Sequence, residues 1–145
     1  MGFNQVNLIS VPVTDQEEAK DFYVHKLGFV ELLDYPMGEE FGRVGGKRWI
    51  MLAPPGGGAA ITLTTWFDDL QPGVVKLAIT CDDVDQTHRE LTGRGVAAES
   101  PSDAPQGGRQ FGFSDPDGNH WLVTAGLPQR QSARDGVVSE AEGEN

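Results

Sequence analysis

Few side chains in this chain of 145 residues could do chemistry, and they are scattered. Its imidazoles are His25, His88 and His120, and Cys81 is its sole thiol. One cysteine excludes an intrachain disulfide and a cysteine-based zinc site, and Cys81 reads as a quiet, partly buried thiol. GxSxG, HExxH and CxxC are absent, so nucleophilic and zinc-hydrolase chemistry have no residues to stand on. The glycines and lysine of residues 42–47 do not make a phosphate loop, because the spacing is wrong and Arg48 stands where a magnesium-binding Ser or Thr belongs. Two residues remain. Lys76 interrupts an apolar run, where an amine must be paired, face a cavity or shift its pKa. It either snorkels to solvent beside an acid or donates to a ligand carbonyl or phenolate. His120 opens another apolar run and is either a satisfied structural group or a ligand contact. His25 and His88 fall on predicted helices and read as surface residues.

The elements that must position Lys76 and His120 follow from hydrophobic periodicity, which switches between strand and helix patterns in one order, twice. The first pass places a strand over residues 6–13 and a helix over 16–26, with Thr14 and Glu17 at capping-box spacing. Gly28 then stops the helix as a left-handed C-terminal position requires. Strands follow over 30–35, 48–52 and 60–65. The second pass gives a strand over 74–80, a helix over 84–92 closed by Gly93 and Gly95, and strands over 96–99, 110–113 and 120–124. Asp115-Pro116-Asp117-Gly118-Asn119 has the chemistry of a tight turn. Setting Val13-Thr14-Asp15 against Cys81-Asp82-Asp83 offsets the copies by 68 residues and brings Gly28 and Gly95 within one residue of register. This predicts an internal duplication of a β-α-β-β-β unit.

Composition narrows the partners. Twenty-two acidic against eleven basic residues give a formal charge of −11, which repels a nucleic-acid backbone and would draw a cationic small molecule. No apolar stretch is long enough to cross a bilayer, and the N-terminus lacks the marks of a secretory signal, so a cytoplasmic location is expected, with no membrane partner. Residues 127–145 are polar, acidic and free of aromatics, and they are expected to form a disordered tail. One domain over residues 1–126 then holds two modules, about 5–66 and 73–126.

These marks resemble the vicinal oxygen chelate superfamily, which holds glyoxalase I, bleomycin-resistance proteins and extradiol dioxygenases. The resemblance rests on Val11-Pro12-Val13-Thr14-Asp15, Ala19 with Phe22-Tyr23, Lys26-Leu27-Gly28-Phe29, Arg48-Trp49, Pro54-Pro55-Gly56 and the 115–119 turn. It implies an α+β fold of two βαβββ modules, each curling into half of a cup-shaped mixed β-sheet with helices outside and a ligand within. Homodimers are common in the family, sometimes building each cup from two chains. The family's enzymes hold a divalent metal on the first and last strands of each module. Counting along those strands brings Leu8, Thr62, Lys76 and Leu122 to the ligand positions. Leu, Thr and Lys cannot grip such an ion, and a protonated Lys repels it.

Strand parity extends the inward face to Ser10, Thr64 and Ala78. Trp49 and Trp66 could supply stacking walls for a flat aromatic guest, or serve core packing or dimer contact. The glycine-rich residues 38–46 would suit a flap over a cup, or an ordinary loop. The expected function is therefore binding of a hydrophobic or aromatic small molecule, as in antibiotic sequestration, with no metal, no cofactor and no catalytic residue. Its ligand contacts would be Leu8, Ser10, Trp49, Thr62, Thr64, Trp66, Lys76, Ala78, His120 and Leu122. The alternative is a metal-dependent lyase, isomerase or dioxygenase that draws ligands from other positions, with His120 meeting Asp115, Asp117 or Glu99.

Overall fold

A computed structural model describes residues 2–105 and 107–126; the expected tail lies outside the described residues. Module one runs β1 (Leu8–Pro12), α1 (Gln16–Asp21) continued by a π turn (Phe22–Lys26), β2 (Val30–Pro36), β3 (Arg48–Ala53) and β4 (Ala60–Thr64). Module two runs β5 (Lys76–Thr80), α2 (Val84–Gly93), β6 (Ser102–Asp103), β7 (Arg109–Ser114) and β8 (His120–Thr124). Each forms a four-stranded mixed sheet, in the orders β1-β4-β3-β2 and β5-β8-β7-β6. The duplication extends to single hydrogen bonds. β1 lies parallel to β4 in five pairs from Leu8 with Ala60, and β5 lies parallel to β8 in five pairs from Lys76 with His120.

The helix starts repeat as well. Asp15 accepts from the Glu18 amide and Asp83 from the Gln86 amide, both at 3.0 Å. Asp15, not Thr14, is therefore the N-cap. The Thr14 amide instead donates to Asp117 Oδ1 in the other module, at 3.0 Å. The π turn explains why the duplicated glycines miss register by one. Module one's helix carries an extra residue, absorbed where the Leu27 amide reaches back five positions to the Phe22 carbonyl (3.2 Å). Gly28 and Gly95 then both end their helices with positive φ, 79° and 87°. The strand expected over 96–99 is reduced to a bridge of Ala98 with Phe113, and the paired stretch falls at Ser102–Asp103. Pro101, with no N–H to donate, interrupts the ladder between them.

Both sheets send one face into a shared core. Val11, Val13, Ile50, Leu52, Ile61 and Leu63 come from the first, and Phe111, Phe113, Trp121 and Val123 from the second. The helices lie against that core, and α1's π turn touches both modules: Tyr23 meets Trp121 edge-on at 5.9 Å and Phe22 lies 6.4 Å from Phe113. A buried hydrogen-bond chain joins the modules here. Trp121 Nε1 donates to Tyr23 Oη (3.0 Å), which donates to Asp115 Oδ2 (2.7 Å). Burial, and secondarily the negative charge of Asp115, push the Tyr23 phenol far above its ordinary pKa, so it stays a donor. Asn119, fully buried, donates to the Pro12 carbonyl (2.8 Å) and Asp115 (2.9 Å) and accepts from the Gly73 and Val75 amides. The 115–119 turn is thus both a hairpin and the bolt between halves.

Candidate functional site

Because each sheet gives one face to the common core, the other faces point away from each other, on opposite sides of the chain. Each is half of a cup. Parity places the expected contacts on these faces: Leu8, Ser10, Trp49, Thr62 and Thr64 on sheet one, and Lys76, Ala78, His120 and Leu122 on sheet two. Trp66, just beyond β4, joins the first group through its stack on Trp49 (6.2 Å, 24° between planes). No strand of one sheet pairs with a strand of the other.

The face of module one is aromatic and apolar. Beside Trp49, Met51 stands across from Thr62, and Tyr35 and Leu33 on β2 continue the surface, both more than two-fifths exposed. Sequence reasoning missed Leu33, Tyr35 and Met51 as members of this face, although alternation along 30–35 and 48–52 carried the signal. Thr62 and Thr64 are buried, and their hydroxyls lack a hydrogen-bond partner among the described residues. The residues expected to form a flap are two short 3₁₀ turns around Gly42, pinned at the base by hydrogen bonds between Met37 and the Gly46 and Lys47 backbone. Arg43 donates to the Trp66 carbonyl, which ties this segment to the aromatic wall.

The face of module two is polar. Lys76, Ala78 and Thr80 are exposed, and Lys76 sits beside His120 in the ladder. Gly112 of β7 lies opposite Leu122, and Glu99 runs alongside through its amide to the Gly112 carbonyl (2.8 Å). The other histidines lie elsewhere. His25 is exposed near Asp21, as expected. His88 is half-buried where a surface residue was expected: its ring packs edge-on against Phe111 at 5.1 Å, because α2 turns this position toward β7.

On the family resemblance, the residues expected at an enzyme's metal positions are Leu8, Thr62, Lys76 and Leu122. Their donors do not fit a divalent ion: two are hydrocarbon, one is a neutral hydroxyl and one an ammonium. Among the described residues no three His, Cys, Asp or Glu side chains gather to hold one elsewhere. Asp115 and Asp117 belong to the β7–β8 turn and are bonded to Tyr23 and the Thr14 amide of module one instead of His120.

A separate cleft of about 580 Å³ opens on the core side between β1 and β5, lined by Ile9, Phe29, Ile61, Leu77, Ile79, Cys81, Trp121 and the 54–59 loop. Of the expected contacts it includes only Ala78. It is flanked by the strands at the open edge of each sheet, since β1 pairs only with β4 and β5 only with β8. Among the described residues no helix is long and apolar enough to cross a membrane.

Comparison with known proteins agrees with this architecture. Residues 4–123 match the model of the glyoxalase/bleomycin resistance protein/dioxygenase superfamily. The structure is similar to that of TnmS3, an antibiotic binding protein from Streptomyces sp. CB03234, with a TM-score of 0.76 and 44% identity over 86% of this chain and 97% of that one. It is also similar to a glyoxalase/bleomycin resistance protein from the same strain, with a TM-score of 0.71 and 44% identity over 83% and 99%. YetH of Bacillus subtilis strain 168, an uncharacterized protein, is 28% identical over 82% of this chain and 96% of its own length.

Proposed function

Because the chain belongs to the glyoxalase/bleomycin resistance protein/dioxygenase superfamily, a scaffold that serves both catalysis and capture, we propose that it is a binding protein that holds a hydrophobic aromatic compound without transforming it. The observation that carries this reading is the side-chain chemistry at Leu8, Thr62, Lys76 and Leu122, which offers a wall and a hydrogen-bond donor where the family's enzymes need metal ligands. The likeness to an antibiotic binding protein supports an antibiotic-like guest.

The cup forms in a homodimer, where module one's face of one copy stands opposite module two's face of its partner. Two features favour this arrangement. The two half-cups of a single chain point apart, and β1 and β5 keep unpaired edges that a second copy can cover. Trp49 and Trp66 then form an apolar wall, while Lys76 and His120 fix orientation from across the cup, the usual division of labour in a ligand site. The acidic surface favours cationic guests, and the protein works in the cytoplasm.

The test is equilibrium dialysis against a panel of polycyclic aromatic antibiotics, with the mass of the dimer measured by light scattering and the guest recovered and weighed by mass spectrometry. Saturable uptake of one guest per chain, unaffected by EDTA and returning the guest unchanged, is expected. Turnover that EDTA abolishes, or tight binding by a stable monomer, would overturn the proposal.

A further inference from the structure

The face of module two contains a seat that the pattern of strands alone does not reveal. The tips of His120 and Glu99 fold over the same point: a β-carbon on Gly112 would lie 2.7 Å from His120 Nε2 and 2.8 Å from Glu99 Oε1. Gly112 is not demanded by backbone conformation, since its φ is not positive. A β-carbon there would instead displace these two side-chain tips. No hydrogen bond or ion pair among the described residues joins the imidazole to the carboxylate or gives either another partner. The two tips therefore stand about 4 to 5.5 Å apart.

That separation matches one chemistry. A single oxygen that accepts from Nε2–H and donates to the carboxylate needs a heavy-atom distance of about 2.7–2.9 Å on each side, which spans such a gap. A water can bridge it, and so can a hydroxyl carried by a ligand. The Lys76 ammonium, next to His120 in the ladder, favours an electron-rich oxygen such as a phenol's. The missing side chain at Gly112 lets both tips lie close against the strand there.

We propose that Glu99 and His120 are a hydroxyl-recognition pair that seats a phenolic hydroxyl of the aromatic guest over Gly112. This rests on the binding reading above and adds the guest's chemical class. It makes Glu99 a specificity residue, with Gly112 keeping the seat open.

The experiment compares 2-naphthol with 2-methoxynaphthalene, which keeps the rings but cannot donate, by equilibrium dialysis against the wild-type protein and the Glu99→Ala, His120→Ala and Gly112→Ala variants. The wild type should hold 2-naphthol about tenfold more tightly than its ether. Each variant should lose that preference; Glu99→Ala should bind the ether as the wild type does, His120→Ala should weaken both probes, and Glu99→Gln, which keeps an acceptor, should retain part of the preference. Glu99 is exposed, so its variants keep the fold, which circular dichroism checks. Equal affinity for both probes in the wild type, or a preference undiminished in Glu99→Ala, would overturn the recognition pair and leave the binding reading standing. Failure of both probes to bind at millimolar concentration would overturn both.

Discussion

The two modules hold the same register and opposite chemistry. Leu8 of β1 and Lys76 of β5 occupy one position of the duplicated pattern, Ala60 and His120 a second, Thr62 and Leu122 a third. Across from the third, module one has Met51 and module two has Gly112. Facing the shared core, the halves remain alike, with Leu63 and Val123 or Ile61 and Trp121 doing the same work. The difference is confined to the faces that the core does not use. One half has become a wall of aromatic and thioether groups, and the other a set of donors and acceptors with a hole in the floor. Duplication fixes the frame through the core and leaves the outward faces free to specialise, which is how one scaffold comes to serve many ligands.

The connections differ just as much, and they give the largest expected effect. Module two joins β7 to β8 through the 115–119 turn, whose buried Asn119 side chain makes four hydrogen bonds, whereas module one joins β3 to β4 through the glycine loop of residues 54–59 beside the cleft. Asn119→Ala strands the Gly73 and Val75 amides and the Pro12 carbonyl, and should cost about 3–5 kcal/mol in urea unfolding. Gly57→Ala, at a φ of 94°, should cost only about 1 kcal/mol. Equal losses would show that the bolt between halves does not lie in module two.

The faces themselves are compared by binding. Trp66→Ala removes a stacked ring from the wall and should weaken the tightest guest in the antibiotic panel by roughly 2 kcal/mol, about thirtyfold. Lys76→Ala removes one hydrogen bond and should cost roughly 1 kcal/mol, about fivefold. Titration calorimetry on both variants decides the order. A larger loss from Lys76→Ala would reverse the assignment of wall and anchor.

Legibility in the sequence follows the same division. Helix starts, the end of each helix at glycine, and β8 at His120–Thr124 were readable because local periodicity dictates them, although the first N-cap is Asp15 where the capping-box spacing pointed to Thr14. The arrangement of the halves was not, since a closed cup and two sheets sharing one core satisfy the same alternation of apolar and polar residues. The Glu99 seat was legible only as one of three acids that His120 could meet. The bridge of Ala98 with Phe113 and the Glu99 amide on the Gly112 carbonyl select it, by carrying that carboxylate over Gly112. The extra residue in module one's helix looked like imperfect register, and it became a π turn that brings Tyr23 to Asp115.

The smallest expected effect concerns a feature that both halves repeat but bury unequally. Arg48 opens β3 and pairs with Asp34 and with Glu17, the second residue of α1; Arg109 opens β7 and pairs with Asp103 and with Asp85, the second residue of α2. In module one Asp34 is nearly enclosed and also meets Lys20 at 2.6 Å, whereas both carboxylates of module two are open to water. Hydrogen bonding from Arg48 holds the Asp34 carboxyl below its ordinary pKa, and Arg109 does the same to Asp85. A carboxylate with a lowered folded pKa stabilises the fold above its unfolded value, near 4, and that contribution disappears as the pH falls through the folded value. Arg48→Met should therefore lower stability by about 1 kcal/mol at neutral pH, after allowance for solvent screening, and flatten the loss of stability below about pH 4. Arg109→Met should change the acid limb of the melting curve in the same direction but by less, because solvent screens its more exposed partners. Thermal melts of both variants from neutral pH to about pH 2.5 make the comparison, and an equal change in the two acid limbs would show that burial does not separate the duplicated ion pairs.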